Sequence, residues 1–554
     1  MPSIMNHGGV RPTLRLLSLF RPLPPRLTRP LSALVVLAWL VQMGVLVHHA
    51  YLRSSVALAA DLGRYGSSAQ WRGVYYRGEK IGFTVGQTTP REDGFELRED
   101  GRMQITAFGA PTATRLSNVV LVDSAFALRS FSFSADPGTG PIEIAGTVEG
   151  RRLDLTVKTP FSQRTETREL KEPPALDLNL PRQLAARGLK AGQREEVLVF
   201  DPLTMSNMPA TVEVQAREIV QANGRPVPAF RVETRFMGLT VKRWITDVGE
   251  VVREESPMGF MTVRESAERA QALAVPGQVQ VDLVEAAAIV PRPPRRIDQP
   301  TAVERMRLRL EGTEGLSPPD LQGAGQTAEG GVFEIRDSRT LEGTFDEPPG
   351  RAERDPELLI ESDAPEILAE ARTAVVDATA PKLQAERLVR YVHALLDKKL
   401  VMGLPSALEV LRTRVGDCKQ HTALYVAMAR SLGLPARVTV GLVYQGGAFY
   451  FHAWPEVYVA ENGSRGRWIP VDPTLNQFPA DATHVRLARG GLDKQAAILG
   501  LIGHAKLEIL DLEERPEANP VLVGRTATDT RPLDLDLPRR DASGPRCWSQ
   551  PRRR

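Results

Sequence analysis

From residue 71 to 263 apolar and polar residues alternate with a period of two, and turn signals interrupt the alternation at short intervals. Such a pattern fits half-buried antiparallel strands and does not fit helices. The run WRGVYYRGEKIGFTVGQ reads as a hairpin turning at Arg77-Gly78-Glu79. Asp93-Gly94, Glu149-Gly150 and Asn223-Gly224 mark later turns between runs such as RLDLTVKT and FRVETRF. One helical pause is expected at 181–187. Residues 62–275 are therefore expected as one large, curved, antiparallel β-rich domain. It contains no catalytic constellation, so a scaffold or docking role is its plainest reading.

The pattern then changes twice. Residues 276–355 hold two Pro- and Arg-rich stretches, around VPRPPRRIDQP and DEPPGRAERDP, which read as linkers. Between them ERMRLRLEG and GVFEIRD read as two strands of a small β unit. From residue 356 the apolar period becomes helical. Asp363 is expected as an N-cap with Pro365 in the first turn of a helix ending near Val376. Pro381 opens a second helix, with Leu383, Leu388, Val389, Val392, Leu395 and Leu396 as its apolar face, and Ser406 caps a third, ALEVLRTR.

The chain of 554 residues is too long for a single core, so several domains are expected. Its net charge is +3, with the basic excess mainly at the two ends. No basic stripe interleaved with aromatics runs through the body, which argues against a nucleic-acid partner. The first sixty residues lack Asp and Glu, and Arg11, Arg15, Arg21, Arg26 and Arg29 precede the apolar run LSALVVLAWLVQMGVLV. This predicts a basic cytoplasmic tail at 1–30 and a transmembrane helix at 31–52, with the rest of the chain in the periplasm or outside the cell. A cleaved signal peptide is the rival, because Ala57-Leu58-Ala59 is a suitable site. However, His48, His49 and Arg53 make the intervening gap long and charged. Residues 516–554 read as a disordered basic tail.

There are two cysteines, Cys418 and Cys547, and Cys547 lies in that tail, so a disulfide scaffold is excluded. The segment RVGDCKQHTALYVAMARSLGLPAR reads as one helix between Gly416 and Gly433, with Leu424, Tyr425, Met428 and Leu432 facing inward. Cys418 then falls in its first turn, where unpaired N–H groups and the helix dipole stabilise a thiolate and an oxyanion. AFYFHAWPEVYV alternates as a strand, with Tyr450, His452 and Trp454 on one face. RWIPVDPT is a second strand, ending at Asp472. A histidine beside the nucleophile helix can serve as base and then acid, and a carboxylate can hold its tautomer. Asp417 reads as a helix cap and His421 as structural. Trp454 reads as either a groove wall or a core residue, Gln420 as surface polar with an oxyanion role as the rival, and His484 and His504 have no partner pattern. HExxH, P-loop, EF-hand and G-x-S-x-G motifs are absent.

The runs GDCKQHTALYVAMARSLGLPAR, FHAWPEVYV and WIPVDPT together resemble the transglutaminase-like superfamily core. They share its Cys, His, Asp order on helix, strand and strand with papain-like proteases. The resemblance covers about 365–480, and QFPADATHVRLARG resembles the extension of bacterial membrane-anchored members. It implies an α+β catalytic domain at 356–515 with Cys418, His452 and Asp472 as a triad; animal transglutaminases use calcium, but no oxygen-rich loop is recognisable here, so no metal or cofactor is carried over. The implied activity is thiol-dependent acyl transfer on amide bonds, as a protease or amidase or as a protein-glutamine cross-linker. The implied partners are proteins or peptides, peptidoglycan peptides among them, and the membrane. The alternative is a non-catalytic envelope binding or assembly protein that keeps the fold as scaffold. Oligomeric state is not fixed by the sequence.

Overall fold

The computed structural model describes residues 69–515, apart from 108–109, 137–139, 203–204, 237, 274–281, 314, 342, 400, 402–405, 463–464 and 491–495. The expected segments 1–30, 31–52 and 516–554, and with them Cys547, lie outside the described residues. Among the described residues no helix is long and apolar enough to cross a membrane.

The architecture is mixed α and β, with one large antiparallel sheet preceding a helix-and-sheet unit. The period-two region forms a 14-stranded sheet. Its first eight strands form a meander and the next six a second meander, joined where strand Gln70–Tyr76 pairs with strand Phe260–Glu265. Alternation does the work: in strand Arg152–Lys158 Leu153, Leu155 and Val157 are buried and their neighbours are not. The hairpin at Arg77-Gly78 and that at Asn223-Gly224 both turn with positive φ at two successive residues, the primed geometry that matches strand twist. Helix Leu180–Ala186 interrupts the strands near the expected place. The sheet curls: Ala175 bridges to Val199, and Phe131 meets Phe200 with ring centroids 5.3 Å apart.

The stretch at 289–301 is not a free linker. Ile289 bridges to Phe449, the Ile297 amide donates to the Tyr444 hydroxyl at 2.8 Å, and Ile297 is buried. Its apolar residues, spaced among the prolines, supply the reason. The small β unit is a four-stranded sheet in which Val303–Leu310 pairs with both Val332–Arg336 and the late strand Leu507–Glu514. Met306, Leu308 and Phe333 share one hydrophobic core with Leu424, Val457 and Ile469.

Helices Pro365–Ala374, Pro381–Leu395 and Ala407–Thr413 surround helix Cys418–Ser431. Leu383 is 41% exposed. Residues 385, 388, 389 and 392 make the buried face, and position 383 lies on the opposite side of the helix. Behind the central helix stands a four-stranded antiparallel sheet in the order Arg465–Pro470, Ala448–Asn462, Ala436–Gln445, Val485–Arg489. Contacts tie this unit to the large sheet: Arg164 pairs with Asp363, and Arg412 lies 4.9 Å over the Phe161 ring.

Candidate active site

Helix Cys418–Ser431 is buried from Gln420 to Arg430 on every side, so its start is held in place by the core. Asp417 is the N-cap: its carboxylate accepts from the Lys419 amide at 2.9 Å, and a capping box with Gln420 completes it. Gln420 is accordingly not a surface residue. It is 2% exposed, its Oε1 accepts from the Asp417 amide at 3.1 Å, and its buried Nε2 has no protein partner among the described residues. The cap takes up first-turn amides, and the His421 amide donates to the Asp417 carbonyl. This leaves the Cys418 amide as the first-turn donor outside the cap. Cys418 is the first residue of the helix, partly exposed, with a free thiol.

His452 reaches this helix from the middle of strand Ala448–Asn462. Its Nε2 donates to Asp472 Oδ2 at 2.7 Å, and the Cys418 sulfur is close enough to act electrostatically on the same ring. With Nε2 committed to the carboxylate, Nδ1 is the ring nitrogen left for another partner. Burial disfavours the imidazolium, but the Asp472 carboxylate and the Cys418 sulfur outweigh it and lift His452 to about 10. The neighbouring ring, Trp454, is 1% exposed and stacks on His452 at 6.0 Å between centroids, so it supports the imidazole from the core. Space for that indole comes from Gly441, the register partner of His452. A Cβ there would sit 2.9 Å from Trp454 Cη2 and press on the Val485 carbonyl.

Asp472 follows strand Arg465–Pro470 and is fully buried. Its Oδ1 accepts from the Thr474 and Leu475 amides at 2.7 and 2.9 Å, and its backbone pairs in both directions with Gln477. Burial alone would raise its pKa. His452 and His484 reverse that and hold the carboxyl well below the ordinary range. The loop after Asp472 is gripped from helix Pro381–Leu395, where His393 Nδ1 meets the Pro473 carbonyl at 3.0 Å and Arg390 donates to Asn476.

Sequence reasoning passed over His484. It is buried, its Nε2 lies 3.2 Å from Asp472 Oδ2, and its Nδ1 lies 3.2 Å from Asp481 Oδ1. Asp481 and His484, three residues apart in DATH, were a legible local pair. Their place beside Asp472 depends on the edge strand Val485–Arg489 returning next to Ala436–Gln445. By contrast His421 stays apart: its Nδ1 bonds back to the Asp417 carbonyl at 2.8 Å, and burial pushes it down to about 4. His504 meets only the Pro257 carbonyl at 3.0 Å among its hydrogen bonds in the described residues.

The donor atoms of His452, Asp472 and His484 lie within 4.8 Å of one another, close enough for one cation. Both imidazoles, however, spend their Nε2 protons on the same carboxylate oxygen. A cation there would have to displace two hydrogen-bonded protons, so the group fits a proton-holding cluster better than a metal site.

Residues 369–473 match the model of the transglutaminase-like superfamily. That transglutaminase-like span contains Cys418, His452 and Asp472 and stops short of His484. No curated protein matches the chain. Among solved structures, similarity is found to a β-barrel-like protein of a domain of unknown function from Brucella abortus, at 11% identity over 36% of this chain and 95% of that one, with a TM-score of 0.28. A "putative cysteine protease" from Cytophaga hutchinsonii is 15% identical over 40% of this chain and 80% of that one, with a TM-score of 0.23. A "putative protease" from Parabacteroides distasonis is 11% identical over 64% and 68%, with a TM-score of 0.17.

Proposed function

We propose that this protein is a thiol-dependent acyltransferase acting on amide bonds, with Cys418 as nucleophile, His452 as base and acid, and Asp472 as its orienting carboxylate. The observation that carries the reading is the hydrogen bond from His452 to the buried Asp472 carboxylate, with the Cys418 sulfur at the helix start acting on the same imidazole. The Cys418 thiolate attacks the amide carbonyl carbon, and the oxyanion is met by the Cys418 amide. Collapse breaks the C–N bond, and the departing amine takes the proton held on His452 Nδ1. A thioester remains on Cys418. His452 then removes a proton from water, or from a lysine amine, which attacks the thioester and restores the thiolate. Water gives hydrolysis and lysine gives cross-linking; a partly exposed thiol on a helix start favours hydrolysis.

The proposal extends to place and partner. The apolar run at 31–47 with arginines before it supports a single membrane anchor over 31–52, with the catalytic unit in the periplasm or outside the cell. Protein or peptide substrates of the envelope, peptidoglycan peptides included, fit that location. The test is iodoacetamide labelling of the full chain near neutral pH, with the Cys418 peptide read by mass spectrometry so that Cys547 does not interfere. Labelling well above a model thiol, lost in His452→Ala, supports the enzyme. An ordinary rate indifferent to His452→Ala leaves a scaffold. The substrate follows from trapping the acyl adduct on Cys418 with an envelope extract.

A further inference from the structure

His484 lies outside the matched span, yet it is the second histidine on the carboxylate that orients His452. Its hydrogen-bond inventory is restrictive. Nε2 faces Asp472 Oδ2 at 3.2 Å, and Nδ1 faces the Asp481 carbonyl at 3.1 Å and Asp481 Oδ1 at 3.2 Å. Every one of these partners is an acceptor. A neutral imidazole has one donor and one acceptor nitrogen, so a neutral ring would set a lone pair against an oxygen lone pair on one side. Only the doubly protonated ring satisfies both sides. Asp481 is itself held as a carboxylate by the Thr483 amide at 3.0 Å, the Thr483 hydroxyl at 2.6 Å and Gln477 Nε2 at 2.8 Å.

We propose that His484 is a buried imidazolium and a positioning residue for the Cys418 reaction, one that fixes Asp472 and shares its negative charge so that His452 releases its proton more readily. The inference rests on the thiol reading above and deepens it. Asp472 Oδ2 receives two donors, so its pull on His452 is divided. The His452 and His484 ring centroids are 6.0 Å apart, and Trp454 packs against both, edge-on to His484 at 5.2 Å. A second positive charge at that range lowers the proton affinity of His452 relative to what Asp472 alone would impose. An imidazole gripped by an undivided buried carboxylate would be a poor acid for a leaving amine. Lys398 and the cluster of Glu456 with its arginines are the other charges nearby, and His484→Gln leaves both unchanged. His421, on the central helix, is neutral, and His393 is held low by burial and Lys398. On the outer side His484 lines a pocket with Arg486, Arg489 and Glu456. There Glu456 bonds Arg486 at 2.6 Å, and Arg489 lies 3.7 Å from it. Consistent with the geometry, burial works against the His484 charge, but Asp481 and Asp472 together raise it to about 9.

The test uses the full chain and iodoacetamide as probe, with the labelling rate of Cys418 followed from pH 5 to 11. In the wild type the upper limb reports loss of the His452 proton. His484→Gln keeps a donor toward Asp472 but removes the charge, and it is expected to move that limb upward by roughly one pH unit or more, so that it leaves the top of the scanned range. A merely structural His484 predicts an unmoved limb in His484→Gln, or a downward one as Asp472 loosens; either result overturns the proposal. Should His484→Gln fail to fold, histidine-selective nitrogen NMR of the wild type decides: two protonated ring nitrogens on His484 at pH 7.5 support the assignment, and one overturns it. If wild-type Cys418 labels like a model thiol and ignores His452→Ala, the enzymatic reading fails by itself, and the NMR result still settles the charge on His484.

Discussion

Replacing Asp472 with Asn should remove much of the pH dependence that His452 gives to the stability of the helix-and-sheet unit. His452 has an ordinary value of 6.5 and stands at about 10 in the fold. Because the folded value is the higher one, the stabilisation is complete below 6.5, fades as pH rises, and is gone above about 10. A rise of that size corresponds to roughly 5 kcal/mol at most. Breaking a buried charged pair independently suggests about 3–5 kcal/mol. Asp472→Asn leaves the shape and the Oδ1 bonds to Thr474 and Leu475 available while removing the charge between two imidazoles. The assay is urea unfolding at pH 6, 8 and 10.5, followed by the fluorescence of tryptophans that include Trp454 on the His452 ring. Wild type should exceed Asp472→Asn by about 3–5 kcal/mol at pH 6 and by less than about 1 kcal/mol at pH 10.5. His484, also raised, adds in the same direction. A gap of equal size at pH 6 and 10.5 would refute the reasoning, because the pair would then not be a charged one.

Other substitutions probe the frame around the site. Gly441→Ala pushes a methyl group toward Trp454 and the Val485 strand, so it should lower stability by about 1–3 kcal/mol in thermal unfolding and slow Cys418 labelling. Glu456 is 1% exposed and bonds Arg437 and Arg486, each at 2.6 Å. Glu456→Gln strands those guanidinium groups and should cost about 3–5 kcal/mol in urea titration. Burial opposes the Glu456 charge, but the arginines depress its pKa, so the wild-type advantage should hold above pH 4.5 and vanish as pH falls. Glu409 behaves oppositely: burial and nearby Glu361 push it up to about 7, and one carboxylate oxygen has no partner among the described residues. Glu409→Gln should therefore stabilise the chain by about 1–2 kcal/mol at pH 8, with the gain shrinking toward pH 4.5, as melting temperatures at both values would show.

What the sequence made legible was local. The two-residue turns at Arg77-Gly78 and Asn223-Gly224, the Ser406 cap and the helix start at Cys418 each depend on chemistry within four residues, and the structure places each where the pattern does. Cys418, His452 and Asp472 were each legible as candidates from a helix start and two strands, but no spacing rule brings such elements together, so their grouping leaned on the family resemblance. What escaped was non-local or masked by composition. The 289–301 stretch looks like a linker because prolines dominate it, yet Ile289 and Ile297 anchor it to the catalytic sheet. Strand Leu507–Glu514 completes a sheet begun two hundred residues earlier in the chain, a pairing that alternation cannot assign. Gln420 looks like a surface residue, but from Gln420 to Arg430 the helix is covered all round and His421, Thr422 and Arg430 are buried with it.

The same contacts make the site and the core one object. His452, Trp454 and Glu456 alternate along a single strand, so the face that presents the imidazole also carries the indole beneath it and the carboxylate around which three arginines gather. Asp472 and His484 bracket a loop whose backbone and side chains are closed by Gln477 and Asp481. A strand shift of one residue would turn His452 to the opposite face and bring a hydrophobic neighbour in its place. The imidazole can therefore keep its aim at the helix start only while the register between Gly441 and His452 holds, and Gly441 is a position where a side chain would not fit. Rigidity of this kind suits acyl transfer, in which the ring must serve the sulfur, the leaving amine and the incoming nucleophile in turn without moving.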